Sequence, residues 1–230
     1  MSRLSALHDT CRGERAFIIG NGPSLRQTDL SRLRNEVTFG MNRIYLLFPE
    51  LGFTTTYFVS INDLVINQCV NEILELSMPK FLSWRSHRFL PPDLELASRD
   101  LNFLFTTYTG EHFSRRATGR LWEGATVTYV ALQLAFHMGF EQVILVGVDH
   151  KFTCQGDANQ TVISTGEDPN HFHPDYFGKG FKWQLPDLET SERAYRLAQE
   201  VFKEANRQVL DATVGGELAI FPKVDYGTLF

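Results

Sequence analysis

"GATVTYVALQLAFHMGFEQVILVGVDH", residues 124–150, decides the fold. Its first part places Val127, Val130, Ala131, Leu134, Ala135 and Met138 at helical spacing, and Gly139 is a good helix stop. The spacing predicts a helix over 124–140. Its second part, 141–150, is a near-continuous Val/Ile/Leu run that ends in Gly147-Val148-Asp149-His150. A strand that is apolar on both faces fits the middle of a parallel sheet covered on both sides.

Strands and helices alternate on either side of this unit. "RAFIIG" (15–20), "EVTFGMN" (36–42), "TTTYFVSI" (54–61), "PKFLSW" (79–84) and "NFLFTT" (102–107) read as strands. "LRQTDLSRLR" (25–34) reads as a short helix or turn, and "DLVINQCVNEILEL" (63–76) as a helix. Further on come a charged amphipathic helix (189–207), a late strand (208–213) and a final extended piece (218–225). The expected fold class is α/β, a doubly wound, mostly parallel, Rossmann-like sheet. The expected organisation is a single nucleotide-binding domain over 1–230. Residues 151–188 form a polar, aromatic segment too long for an ordinary connection, so a lid or insertion is expected there.

Composition narrows the function classes. With 230 residues, 43% hydrophobic and 21% charged, the chain can build a sizeable core. A net charge of −5 argues against a general binder of nucleic acid while leaving room for a local phosphate site. Cys11, Cys69 and Cys154 are widely spaced and odd in number, which gives neither a disulfide framework nor zinc spacing; a cytoplasmic location is expected. No apolar run approaches the ~20 residues that span a bilayer. The N-terminal stretch does not read as a secretory signal. Peripheral contact with a membrane and homo-oligomer formation both stay open.

In such sheets ligands bind at the carboxyl ends of strands. Those ends carry the candidate site. After the first strand, Gly20 and Gly22 would let backbone approach a ligand, Pro23 starts the next helix, and Asn21 and Ser24 add short polar side chains. Amides converging at a helix N-terminus favour phosphate. The pattern is neither G-x-G-x-x-G nor a P-loop. Asn42 and Arg43 follow the second strand, Asn62 and Asp63 the third, and Asp149 and His150 the central buried one. Thr126 and Thr128 sit at the start of the 124–140 helix. Asn and Asp also cap helices and make turns, and capping is the strongest alternative for Asp63.

The long segment holds "GEDPNHFHPDYFGKGFKW" (166–183). On an extended chain His171 and His173 share a face, where they could act as acid and base or form half a metal site with Asp149 or His150. Gly178 and Gly180 would allow hinge motion. Phe152, Phe172, Phe177 and Phe181 could wall a ligand or pack the segment onto the core.

"IIGNGPSL", "MNRIYL", "ALQLAFHMGF", "EQVILVGVDHKF" and "HPDYFGKG" follow in order from about Ala16 to Lys179. As an ordered set they resemble the Campylobacter-type bacterial sialyltransferases. They are equally similar to the motility accessory factor glycosyltransferases and the MptE-like pterin diphosphokinases. The sialyltransferase resemblance implies a CMP-activated nonulosonic acid donor, a glycan or protein acceptor, and inverting transfer with no required cofactor. It implies that Asn21-Gly22 and Asn42 hold the nucleotide, with Thr126, Val127 and Thr128 near the donor phosphate; Tyr176, in the 151–188 segment, is a further nucleotide-binding candidate. That family's lid reads His-Tyr-Ile-Gly-His, with the last His as base; here Lys179 stands in its place. Its tyrosines after the central Asp are replaced by "DHKF", with His150 first. An ammonium cannot accept a proton, so either burial lowers the Lys179 pKa, or His171 or His173 takes over, or the reaction differs and Lys179 binds phosphate.

Three readings result. One is a glycosyltransferase with a nucleotide-activated, CMP-linked donor, in surface-glycan or glycoprotein synthesis. Another is an MptE-like diphosphokinase using ATP and Mg, with Asp63 and Asp149 near the phosphates. The last is a non-catalytic nucleotide-sugar binding protein. The catalytic candidates are His171, His173, Lys179 and Asp149.

Overall fold

The computed structural model describes residues 3–94, 100–153 and 156–230; Cys154 lies outside them. The strands are β1 (Arg15–Ile19), β2 (Thr38–Met41), β3 (Tyr57–Ser60), β4 (Lys80–Ser83), β5 (Leu101–Thr107), β6 (Arg120–Trp122), β7 (Gln142–Val146), β8 (Thr161–Ile163), β9 (Lys182–Gln184) and β10 (Gln208–Asp211). Eight of them form one sheet in the order β10-β7-β1-β2-β3-β4-β5-β6, with every pairing parallel. β8 and β9 form a separate antiparallel pair. The helices are α1 (Arg3–Ala6), α2 (Phe48–Leu51), α3 (Asp63–Gln68), α4 (Val70–Glu75), α5 (Val127–Met138) and α6 (Leu188–Glu204).

From β1 the chain winds outward through β2 to β6. α5 then carries it back to β7, on the other side of β1, and α6 leads on to β10. The winding direction therefore reverses between β1 and β7, and a crevice opens at their carboxyl ends. The doubly wound α/β fold is the one the alternating pattern predicts.

α5 differs from its sequence reading. The spacing predicts one apolar stripe, yet every residue from Thr128 to Met138 is buried. The reason is a second layer: α6 lies over α5 with its Ala194, Tyr195, Ala198 and Phe202 face, and both join the core of that side of the sheet. Gln133 and His137 survive this burial through hydrogen bonds to backbone: Gln133 Nε2 donates to Trp122 O at 2.9 Å, and His137 Nε2 is 2.8 Å from Leu4 O.

The opposite face is covered by shorter pieces. The helix expected over 63–76 breaks at Cys69 (φ −125°, ψ 21°), a buried residue between α3 and α4. The stretch 25–34 falls into two 3-10 turns, Pro23–Gln27 and Leu30–Asn35. The piece at 218–225 makes a single bridge, Asp211 to Lys223, rather than a strand. β6, β8 and β9 were not expected; at three residues each they are too short to show a period.

Two strand ends are pressed together. Gly20 N–H donates to Val146 O at 2.7 Å and Gly22 N–H to Gly147 O at 2.9 Å. A Cβ on Gly20 would overlap the Gly147 carbonyl oxygen. Gly20→Ala is therefore expected to lower unfolding free energy by about 3 kcal/mol in urea titrations. Gly178→Ala would meet nothing closer than Asp175 O at 3.9 Å. That second change is expected to stay within about 0.5 kcal/mol.

Candidate functional site

Two joined cavities run along the carboxyl ends of the strands. The narrower, about 170 Å³, sits at the β1/β7 switch point between the Gly20-Asn21-Gly22 turn, the start of α5 and Asp149-His150. The wider, about 810 Å³, continues past the ends of β2, β3, β5 and β6. Asn42, Thr126, Phe152, Phe177 and His171 line both, so His171 stands at their junction.

His171 is fixed on three sides. Its Nδ1 is 2.8 Å from each carboxylate oxygen of Asp168. Its ring stacks on Tyr176 at 4.0 Å and 7°, and meets the edge of Phe177 at 4.7 Å. A carboxylate that accepts from Nδ1 leaves Nε2 as the nitrogen free to take a proton from a ligand. Asp168, only 4% exposed in its side chain, also accepts from the amides of Asn170 and Phe177 at 3.1 Å. One carboxylate thus shapes the turn and orients the ring. Burial drives the Tyr176 phenol well above its ordinary range, so it serves as a neutral platform under the imidazole.

The start of α5 forms the wall facing the switch point. Thr126 caps it, accepting from Thr128 N–H at 3.3 Å, and its Oγ1 lies 3.3 Å from the buried Tyr195 hydroxyl. Residues around this wall hold left-handed backbone: Asn42 (φ 51°), Ala125 (φ 57°) and His150 (φ 53°). Alanine and histidine in that region are strained, and such strain clusters where a loop must aim groups at a ligand. His150 Nε2 is 3.2 Å from Glu192 Oε1 on α6. The Asn21 side-chain oxygen is buried without a hydrogen-bond partner among the described residues.

Several expected roles change on this geometry. Gly20 and Gly22 line the narrow cavity, but their missing Cβ atoms make room for Gly147 and Asp149 rather than for a ligand. The N-terminus of the 23–27 turn is already occupied: Ser24 N–H and Oγ donate to the Asp149 carboxylate at 3.1 and 2.7 Å. A carboxylate there repels phosphate, which moves the anion-favouring position to α5. Asp149 thus clamps the two loops together while also lining the narrow cavity. Burial pushes its carboxyl above the ordinary range, with the Ser24 bonds opposing.

Arg43 turns away from the cleft. It donates to Asp175 O at 2.8 Å and to Tyr176 O, and lies over the Phe181 ring, so it latches the 166–183 segment to β2. Asp63 likewise faces outward, accepting from Ser86 Oγ and Arg88 Nη2 at 2.8 Å each. Asn62, its neighbour, caps α3 through Leu64 and Val65 N–H and also lines the wide cavity. His171 and His173 do not share a face, because the chain there is a series of bends rather than a strand. His173 Nδ1 accepts from Asp175 N–H at 3.1 Å outside both cavities. Lys179 is exposed beside Gly166 and lines neither. The four phenylalanines divide: Phe152 and Phe177 wall the cleft, while Phe172 and Phe181 pack onto the core.

The carboxylates of the wide cavity are committed to protein partners. Glu123 pairs with Arg85 at 2.6 Å, Glu111 with Arg193 at 3.1 Å, and Asp187 caps α6 through Thr190 N–H at 3.0 Å. Among the described residues no three His, Cys, Asp or Glu side chains come together as a metal would require. The residues present therefore do not fit a dedicated magnesium site. Sequence reading missed Asp168, Glu123, Asp187 and Glu192. Asp168 carries a readable signal, an Asx-type turn three residues before a histidine; Glu123 was hidden with the unrecognised β6, and Glu192 meets His150 only through the packing of α6.

Comparison with known proteins agrees with this architecture. A family model described as "6-hydroxymethylpterin diphosphokinase MptE-like" matches residues 2–155. No curated protein matches the chain. Among solved structures, the MAf glycosyltransferase from Magnetospirillum magneticum AMB-1 is 15% identical with a TM-score of 0.54, over 99% of this chain and 38% of that one. The chain thus spans 38% of that protein's length, and the likeness is one of fold. The sialyltransferase CstII from Campylobacter jejuni, solved with cytidine-5'-monophosphate, is 16% identical with a TM-score of 0.49, over 93% of this chain and 85% of that one.

The Asp149 clamp has a signature in pH. The folded state holds the Asp149 proton more tightly than the unfolded chain does, so this group's contribution to stability falls as pH rises above the unfolded value of about 3.9. Asp149→Asn keeps an acceptor for Ser24 and removes the buried charge. The variant's stability relative to the parent, from urea midpoints, is expected to climb through that window and level off once the parent carboxyl has ionised.

Proposed function

The chain belongs to the MptE-like family, and we propose that it is a transferase moving a group from a nucleotide-activated donor to a hydroxyl, with a nucleotide-linked sugar as the donor. One observation carries this reading: His171, oriented by Asp168, stands where the narrow and wide cavities meet. A base at that junction lies between a donor held at the switch point and an acceptor in the wide cavity.

In this mechanism the donor's phosphate faces the N-terminus of α5, whose dipole favours negative charge. Asn21 and Asn42 meet the nucleoside; the buried Asn21 oxygen calls for a donor such as a base amine or ribose hydroxyl. His171 Nε2 takes the proton of the acceptor hydroxyl as its oxygen attacks the anomeric carbon. The bond from that carbon to the phosphate oxygen breaks, and the nucleotide leaves with its charge against α5. Residues 151–188 serve as the lid, bringing His171 in and excluding water. A CMP-linked donor is the choice that the similarity to nonulosonic acid transferases favours.

A second reading has a specific support, the description of the family itself. There the hydroxyl of a hydroxymethylpterin would attack the β-phosphorus of ATP, with AMP as leaving group. His171 has the same task in both. The diphosphate reading calls for a divalent cation, for which the cleft's carboxylates are already engaged.

A thermal-shift series with CMP, CDP, UDP, GDP and ATP, with and without Mg²⁺, separates the two. Stabilisation by cytidine nucleotides without metal is the expected result; a shift with ATP and Mg²⁺ alone would favour diphosphate transfer, and no shift with any nucleotide would end both. With the active donor in hand, His171→Ala is expected to lower kcat by about 10²–10⁴-fold. His173→Ala and Lys179→Ala are expected to leave it nearly unchanged.

A further inference from the structure

Two histidines line the narrow cavity, and each is held by a carboxylate. His171 has its Nδ1 on Asp168. His150, in the loop after β7, has its Nε2 3.2 Å from Glu192 Oε1, while Glu192 Oε2 accepts from Arg196 Nη2 at 2.9 Å. The second carboxylate therefore comes from α6 and is itself fixed by a guanidinium one turn along. The His150 side chain is only 9% exposed, and its ring stands edge-on to Tyr195 at 6.1 Å. In both histidines the other ring nitrogen has no hydrogen-bond partner among the described residues. Their places differ: His171 lines both cavities, His150 the narrow one alone.

The narrow cavity is short of positive charge. Among the described residues, Asp149 and Asp187 line it, no arginine does, and its one lysine, Lys151, is paired with Glu217 at 2.6 Å. A phosphate in that space would meet carboxylates with no cation to offset them, unless an imidazolium supplies the charge. His150 is the group placed to do so, because His171 has to be neutral to act as a base.

On the reading of this cleft as a nucleotide-donor site, we infer that His150 is a second catalytic residue, the acid to His171's base, and that Glu192 positions it. As the acceptor oxygen bonds to the anomeric carbon, the bond from that carbon to the phosphate oxygen breaks, and its electron pair stays on that oxygen. His150 Nδ1 gives its proton to the departing oxygen, while His171 Nε2 takes the proton of the acceptor hydroxyl. The two imidazoles thereby exchange states, and water resets both after the nucleotide leaves. A phosphate monoester takes its second proton near the pH at which an imidazole gives one up, so donor and acceptor are matched. The charged and titratable groups around His150 are Glu192, Arg196 and Tyr195 on α6, Asp149 and Lys151 beside it in the chain, and Asp187 and His171 on the cavity wall.

The test is calorimetric titration of the full chain with CMP and with cytidine, which lacks the phosphate, together with the pH profile of CMP release from a CMP-linked nonulosonic acid. His150→Asn removes the acid, and asparagine accepts the left-handed backbone at this position (φ 53°). The variant is expected to bind CMP about tenfold more weakly, to bind cytidine like the parent, and to lose about a hundredfold in kcat. The parent's profile is expected to be bell-shaped. His150→Asn loses the alkaline limb, where the acid has given up its proton, and keeps the acidic limb that belongs to His171. Glu192→Gln keeps an acceptor for Nε2 and removes the charge that favours an imidazolium, so its alkaline limb is expected to move to lower pH with an unchanged circular-dichroism melting curve. That variant carries the test should His150→Asn not fold. CMP binding in His150→Asn equal to the parent's, an alkaline limb that persists in it, or a limb unmoved in Glu192→Gln overturns this inference and leaves the donor reading standing. A parent that binds neither CMP nor cytidine ends both.

Discussion

The loops that follow β1 and β7 touch backbone to backbone, and the rest of the site is built on that contact. Gly20 and Gly22 donate directly to the β7 end, and Asp149 reaches across to the amide and hydroxyl of Ser24. Main chain can approach this closely only where no Cβ intervenes. The contact closes the bottom of the switch-point crevice and consumes the donors of the 23–27 turn. The other helix start on that rim is at Thr126–Thr128 of α5, where Thr126 Oγ1 takes the Thr128 amide.

A second constraint holds the catalytic candidate over that crevice. Segment 166–183 is fastened to the sheet by Arg43 to Asp175 and Tyr176, by Phe172 N–H to Asn21 O at 3.0 Å, and by Arg26 Nε to Phe172 O at 2.5 Å. Inside it, Asp168 gathers His171, Asn170 and Phe177. The bonds made by Arg43, Asn21 and Arg26 join pieces of chain more than a hundred residues apart.

The outer edge of the sheet and the cleft share Tyr108, and Arg85 joins them physically. Its guanidinium pairs with Glu123 in the cleft, lies over the Tyr108 ring at 4.2 Å, and bonds to the Tyr108 hydroxyl at 2.9 Å. Burial pushes the Glu123 carboxyl up, and Arg85 opposes that shift. Chemistry at the floor of the cleft and shape at its mouth therefore rest on one side chain.

The sequence alone determined the alternating architecture, the central β7 run, the helix that returns to it, and the rim on which Asn21, Asn42, Thr126 and His150 meet. Those follow from local periodicity and from turn chemistry, which a linear pattern carries. Tertiary structure alone decided the rest: that α5 is buried all round, that Asp149 is a clamp, that Arg43 and Asp63 face away, and that His171 rather than His173 or Lys179 enters the cleft. The physical reason is distance along the chain. Whether a polar side chain serves a ligand or another loop depends on partners such as Ser24, Asp175 and Arg88, and only folding brings those within hydrogen-bond reach.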